Sequence, residues 1–506
     1  MRRFALICLI VLIAVLPAAC RRQLAGTTPA ATGADAITAG GLLADVTTLA
    51  GPEFSGRLAG SPGYEAAARW AARRFDRAGL HPGGDDGTYL QRLPIEYNVI
   101  EGAPSLVVTV GDSTRLEASL GDDFTCRGFT GSGTVDAPVV FVGYGLSEPD
   151  RGYDDYAGVD VAGKVALMVK PNPGWQPDST GWAAGSSSPR HRAATARAHG
   201  AAAVMWFDIP RADDWAPYRG PIGSVMHGDG EQLTDMPHLE LHVDLADRLL
   251  GGAGEARRLR AAIDSLRAPV SRALDATASL SVRAAYDPSR ETCNVVGILP
   301  GSDPALAGEA LVIGAHLDHV GRQSADVYYP GANDNASGAA AVLALAEAFA
   351  GMEQAPRRSV VFVLFAGEES GLVGAAWHAD HPAFAADRTV AMFNLDCVAH
   401  GDSIRIGGGE SNPDMWRLAR DLDAQHANLT VAATWKGGGA DATPFFNAGI
   451  PTLYWVTTRS YDHLHATTDT PATLNGDLYR ELARLCFRTA WAVADAPATG
   501  DVAVHP

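Results

Sequence analysis

The sequence predicts an α/β protein: a mixed, mostly parallel sheet flanked by helices, with a second, β-rich domain inserted into it. Three observations carry this reading. The apolar runs Leu311–Ala315, Ser359–Ala366, Val390–Leu395 and Pro451–Val456 have strand length and are separated by helix-like stretches, the pattern of doubly covered parallel strands. Each run leads into metal-competent side chains, at the strand ends where open α/β sheets bind ligands. Between these runs and the N-terminal third, from about Thr134 to Phe207, the pattern changes to short strands and turns.

In chain order, Met1–Cys20 has two arginines, an apolar run from Phe4 to Leu16 and small residues before Cys20, the pattern of a secretory signal too short to span a membrane. Leu16-Pro17-Ala18-Ala19-Cys20 resembles a bacterial lipoprotein cleavage site, which implies Cys20 as a lipid-bearing first residue; Pro17 departs from that pattern, so simple cleavage and release is the alternative. The segment to about Ala39 reads as a tether. Ser61-Pro62, followed by Tyr64, Ala67, Ala68, Ala71 and Phe75 and closed by Gly79, predicts a capped amphipathic helix. Gln91 to about Val110 returns as early strands of the first domain. Pro138–Val142, Gly163–Val169 and Ala201–Phe207 are short strands of the second, and Glu255–Arg272 a surface helix leaving it. Ser279–Ala285 and Asn294–Leu299 lead back into the main sheet. After Glu369 come helices near Leu372–Ala379, Asn412–Gln425, Thr443–Asn447 and Tyr479–Ala494, with a strand at Ser403–Ile406.

A net charge of −18 with few basic clusters argues against nucleic acid or an anionic membrane surface as partner. Cys126, Cys293, Cys397 and Cys486 are widely spaced, which excludes a thiolate zinc motif.

The chemistry concentrates in AHLDHVG, GANDNASG and FAGEESG. Residues two apart in a strand share a face, so His316 can face a metal while the Asp318 carboxylate holds its other ring nitrogen. Asp334 follows a glycine-rich loop, Glu368 and Glu369 follow the next run, Asp396 ends another, and His465 lies in DHLHATTDT. Such a set of imidazoles and carboxylates suits zinc or a similar ion, and can hold two ions ~3.5–4 Å apart with one carboxylate shared. Adjacent glutamates do not easily coordinate together, so one would bind metal while the other carries a proton. Taken singly, each feature has a plainer reading. His319 and His463 read as structural or surface histidines, Asp334 as a helix cap, Gly437–Gly439 as a turn, and the acidic stretch Asp150–Asp160 as solvated surface.

From about Gly51 to Ala494 these motifs resemble the two-zinc metallopeptidases of family M28, the aminopeptidase Y or glutamate carboxypeptidase-like group. The resemblance implies that His316, Asp334 and Asp396 hold one zinc and that Asp334, Glu369 and His465 hold the other, zinc or another divalent ion. Asp334 would bridge, Glu368 would be the general base toward a water between the ions, and Asp318 the partner of His316. It also implies a cis peptide between Asp334 and Asn335. VVFVGYGL, DDYAGVDVAGKVALMV and ARAHGAAAVMWF resemble a protease-associated (PA) domain, a non-catalytic module that would cover the site. The domain division expected is 1–20 signal, 21–39 linker, 40–130 first part of the peptidase, 131–275 PA-like insertion, 276–496 catalytic domain and 497–506 tail. Leu464 and Gly437 stand where relatives often carry a tyrosine that steadies the oxyanion, leaving Tyr461 or His463 as substitutes.

The function expected is an exported, periplasmic or envelope-bound exopeptidase acting on peptides, first of all an aminopeptidase. A carboxypeptidase or dipeptidase, a one-zinc glutaminyl cyclase, and a metal-free binding scaffold of the transferrin-receptor kind are the alternatives. The complete donor set argues against the last two.

Overall fold

The computed structural model describes residues 29–112, 114–176, 181–183, 185–209, 225 and 230–497. The expected signal segment with Cys20 lies outside them, as does the tail beyond residue 497. Part of the expected tether is ordered: Pro29–Ala36 is a helix, and Ala34 and Ile37 are buried in the main core. These apolar side chains find a surface on the C-terminal helix Gly476–Ala494, which the composition of the segment did not announce.

The main sheet has eight strands in the order His81–Pro82, Ala284–Leu299, Ser359–Phe365, Ala310–His316, Thr389–Leu395, Thr452–Thr457 and Ile404–Gly407, with Leu90–Ile100 also paired on Ala284–Leu299. The four central strands are parallel and the outer pairings antiparallel. Alternation explains why the central runs are apolar throughout. Leu311, Ile313, Phe362, Leu364 and Phe393 face the helices Pro62–Arg77, Gly338–Ala350 and Gly476–Ala494 on one side. Ala310, Val312, Val361, Val363 and Met392 face Ala375 and Phe445, on short helices, on the other. Both faces are covered, so both sets of alternate residues must be apolar.

The helix Pro62–Arg77 starts as its sequence signals. Pro62 occupies its first turn, and Ser61 Oγ accepts a hydrogen bond from the Tyr64 amide at 3.1 Å.

From the His316 strand the chain next adds Ser359–Phe365 on one side and then Thr389–Leu395 on the other. That reversal of direction opens a crevice at the carboxyl ends of the central strands.

The inserted chain forms a second eight-stranded sheet, ordered Thr114–Glu117, Ser105–Val110, Arg272–Val282, Gly133–Phe141, Val165–Val169, Ala203–Phe207, His238–Leu241 and Phe124–Cys126. This sheet begins earlier and ends later than 131–275. Ser105–Val110, expected in the first domain, pairs with Arg272–Val282 instead. Only Leu90–Ile100 stays behind, paired with Ala284–Val295 from Ile100 opposite Ala284 to Leu90 opposite Val295, with one bulge between Asp287 and Arg290. The insertion thus leaves and returns along one two-stranded ribbon. It also touches the main domain directly: Cys126 N donates to Gln323 Oε1 at 2.8 Å, and Val225 packs with Leu58, Val320 and Tyr329. Cys126, Cys293, Cys397 and Cys486 are buried free thiols.

Arg57 ties the loops of the crevice together. It is fully buried and donates to four carbonyls: Leu317 O at 2.9 Å, Leu49 O at 2.6 Å, Pro330 O at 2.8 Å and Gly331 O at 2.8 Å. Burial lowers its pKa to about 10, against the opposing pull of Asp334, Asp469 and Asp318, so it stays charged at neutral pH. Removing a buried charged donor strands its acceptors as well as losing its own bonds. Arg57→Met is therefore expected to cost about 3–5 kcal/mol of stability, read as a lowered midpoint in urea denaturation; an unchanged midpoint would show that these loops hold without it.

Candidate metal centre

The loop Gly331–Ser337 is held in place largely through its own polar side chains. Asn333 Nδ2 donates to Ser460 O at 2.8 Å and its Oδ1 accepts from Ala399 N at 2.9 Å. Asn335 Nδ2 donates to Leu395 O at 2.9 Å, and its Oδ1 accepts from Gly338 N at 2.8 Å and Cys397 N at 3.2 Å. The two asparagines thus tie the loop to the Asp396 strand end and to the segment carrying His465. The Asn333 and Asp334 amides donate to the two Asp469 oxygens at 2.9 and 3.0 Å. The Asp334–Asn335 peptide is cis. Between these anchors Asp334 is buried, with one oxygen turned toward each of two histidines.

His316 Nε2 lies 3.4 Å from Asp334 Oδ1 and 3.5 Å from Asp396 Oδ1. His465 Nε2 lies 3.2 Å from Asp334 Oδ2 and 2.8 Å from Glu369 Oε2. All five side chains expected from the sequence as metal donors therefore meet, in two sets that share Asp334. Glu368 stands beside them, with a carboxylate oxygen within 4.8 Å of donor atoms of His316 and Glu369.

Asp318 is placed differently from expectation. The strand ends at His316, so the two-residue alternation does not extend to Asp318. The Asp318 carboxylate is 3.8 Å from His316 Nδ1, beyond hydrogen-bond reach, and Nδ1 instead lies 3.2 Å from the Asp318 backbone oxygen. The carboxylate accepts from the amides of Glu368 at 3.2 Å and Glu369 at 3.4 Å. It anchors the glutamate loop.

Three further residues belong to the site. His319, read from the sequence as structural, is fully buried with Nδ1 2.8 Å from Glu369 Oε1 and 3.6 Å from Asp334 Oδ2. Tyr454 donates its hydroxyl to Asp396 Oδ2 at 2.8 Å and lies 3.2 Å from the Tyr461 hydroxyl. Asp441, from the loop after Gly437–Gly439, is fully buried with neither oxygen hydrogen-bonded. For His319 the available signal was adjacency to the HLD motif. Tyr454 carried one too, since two-residue alternation in the Pro451–Val456 run sets it on the face opposite Leu453 and Trp455, which lie in the main core. Of the two substitutes for the missing tyrosine, Tyr461 points into the site, whereas His463 is engaged with Thr468 Oγ1 at 3.0 Å and stacks edge-on with His400.

The electrostatics separate the carboxylates. Burial opposes the ionisation of all of them, but the imidazoles of His316 and His465 hold Asp334 well below the usual carboxylate range. The same balance, led by the charge of His465, holds Glu369 down to about 2. Glu368 is pushed well up, first by burial and then by the charges of Glu369, Asp441 and Asp396. Asp441 is raised in the same way. Burial lowers the pKa of His319, which favours a neutral ring with one N–H.

A divalent cation fits this arrangement. Asp334 Oδ2 and Asp396 Oδ1 are buried acceptors without a hydrogen-bond donor, each facing a histidine Nε2. Uncompensated buried carboxylates are costly unless a cation pairs with them, and mixed imidazole and carboxylate donors are those that zinc accepts.

Residues 294–490 match the model of "Peptidase family M28". An aminopeptidase of Pseudomonas aeruginosa is 25% identical over 421 residues, 78% of this chain and 65% of that protein. A probable zinc metalloprotease of Pyrenophora tritici-repentis is 27% identical over 258 residues, 40% of this chain and 57% of that protein. The chain thus spans about half to just under two thirds of the length of these curated relatives. The solved aminopeptidase from Aneurinibacillus sp. strain AM-1 shares the fold, with a TM-score of 0.64 at 20% identity over 94% of this chain and 98% of that one. Residues 294–490, which carry all five converging donors, are thus similar in sequence to peptidase family M28, and the chain as a whole shares the fold of a solved aminopeptidase.

Proposed function

We propose that this protein is a zinc-dependent exopeptidase, an aminopeptidase, that holds two divalent ions. The observation that carries the reading is the pair of donor sets meeting at Asp334: His316, Asp334 and Asp396 on one side, Asp334, Glu369 and His465 on the other. The aminopeptidase and zinc metalloprotease names of the relatives support the direction of cleavage and the metal.

When bound, a pair of divalent ions supplies Lewis-acid polarisation of a carbonyl and a lowered pKa for water. The chain supplies the rest. Glu368 accepts the proton of the attacking water and delivers it to the leaving amine, a role suited by its raised pKa and its place beside the donors. Asp318 fixes the Glu368–Glu369 backbone and so the distance between proton carrier and donor set. The Tyr461 hydroxyl, next to Tyr454, is the protein's donor toward the developing oxyanion. The second sheet, joined to the Gln323 loop, limits how substrate reaches the crevice, in keeping with the PA-like motifs. The Met1–Cys20 pattern supports export, and the intact mass of the mature protein distinguishes a lipidated Cys20 from simple cleavage.

Peptides with free amino termini should be cleaved while N-acetylated counterparts are not, and chelation should abolish turnover. Cleavage of blocked peptides from the carboxyl end would replace the aminopeptidase reading with a carboxypeptidase. Glu368→Gln should keep the metal content while kcat falls roughly 10²–10⁴-fold, the usual worth of a positioned proton carrier; wild-type turnover in that variant would remove Glu368 from the role. Tyr454→Phe should weaken one of the two ions roughly 10–100-fold, because the Asp396 carboxylate loses the partner that orients it. Competitive chelator titration measures this, and equal affinity in both proteins would refute it.

A further inference from the structure

The two terminal carboxylates of the centre are held alike. Asp396 has one oxygen, Oδ2, taken by the Tyr454 hydroxyl, and turns the other toward His316. Glu369 has one oxygen, Oε1, 2.8 Å from His319 Nδ1, and turns the other toward His465. In each case a hydrogen-bonding side chain fills one lone-pair direction and leaves one oxygen to face the metal position.

Resting on the two-ion reading above, we propose that His319 is a positioning residue: its Nδ1–H fixes Glu369 Oε1, so that Oε2 alone is presented beside His465 Nε2. Two acceptors 2.8 Å apart would repel, so the proton between the ring and an ionised Glu369 sits on Nδ1. The other ring nitrogen, Nε2, is fully buried with no hydrogen-bond partner. The bond to Glu369 is thus what offsets the cost of burying the imidazole, a cost an apolar side chain would not incur. The ring cannot easily swing away. Its backbone amide donates to Arg57 O at 3.1 Å, and Gly331 lies so close that a Cβ there would come 2.5 Å from His319 Cδ2. Its edge-to-face contact with His465, 5.6 Å between centroids, fixes the spacing of the two imidazoles. With Oε1 engaged, Glu369 would offer a bound ion one oxygen only, and a position would stay open for substrate or water.

The test uses the full chain loaded with zinc and compares wild type, His319→Ala, His319→Asn and His319→Gln. The amide nitrogen of Asn falls near the position of Nδ1, whereas that of Gln falls nearer Nε2. The affinity of each ion is measured by competitive chelator titration, and folding is checked by thermal melting of the metal-free proteins. His319→Ala and His319→Gln should weaken one ion roughly 10–100-fold and leave the other unchanged, and His319→Asn should recover most of the loss. Two unchanged affinities in His319→Ala would overturn the proposal. So would a loss of one imidazole per chain from the zinc X-ray absorption spectrum of that variant, since His319 would then be a ligand. If His319→Ala does not fold, the contrast between Asn and Gln decides. A wild type that binds no divalent ion defeats the two-ion reading itself, an outcome distinct from two ions bound equally well by every variant.

Discussion

Seven carboxyl groups converge in one crevice: Asp318, Asp334, Glu368, Glu369, Asp396, Asp441 and Asp469, all buried except Glu368, which is partly so. Two like charges 4 Å apart repel by about 4 kcal/mol at the effective dielectric of ~20 that suits protein sites. A fold that collects so much negative potential must compensate it or leave some groups protonated. The molecule does both. Arg57 and the histidines 316 and 465 stand against Asp334 and Glu369, while burial keeps Glu368 and Asp441 inclined to hold protons. The loops carrying these groups depend on the same charges for their shape: Asp469 gathers the amides of Asn333 and Asp334, and Asp318 those of Glu368 and Glu369. Electrostatics and loop architecture are one problem here, with a divalent cation as its natural complement.

Much of this was legible in the amino-acid order because parallel strands buried on both faces leave an unambiguous trace. Four apolar runs marked the central strands, and the rule that ligands gather at their carboxyl ends then picked out His316, Asp334, Glu368, Glu369, Asp396 and His465. The structure brings those residues together. What periodicity could not reach lies beyond strand ends. Two-residue alternation points Asp318 at His316, but the strand stops at His316 and the carboxylate binds the amides of the neighbouring loop. A histidine next to a motif is usually incidental, and the burial of His319 follows from Arg57 and Gly331, which its own neighbours in sequence do not reveal. Ser105–Val110 reads as a strand but joins the second sheet, because strand patterns do not name their partners.

Hydrogen bonding within the centre follows a division of labour. Backbone amides, whose positions are set by the loops, bind Asp318 and Asp469, neither of which is hydrogen-bonded to a histidine. Side-chain donors, Tyr454 and His319, bind the carboxylates that do. Peptide groups make rigid scaffolds, and side chains tune the oxygen that is left. The arrangement separates the part of the site that must be invariant in shape from the part that sets how strongly a carboxylate donates.

The ribbon between the two sheets has a consequence for how such a chain can change. Ile100 and Ala284 are register partners, so the insertion begins and ends at points only about 5 Å apart. A change in length between them leaves the pairing from Leu90 to Val295 intact, with its one bulge between Asp287 and Arg290, and is felt instead where Cys126 meets Gln323 and Val225 meets Val320 and Tyr329. The main sheet takes no strand from the insertion, so its own ladder is independent of what the ribbon carries. The boundary for exchanging the second sheet is therefore the last rung of that ladder, Ile100 opposite Ala284.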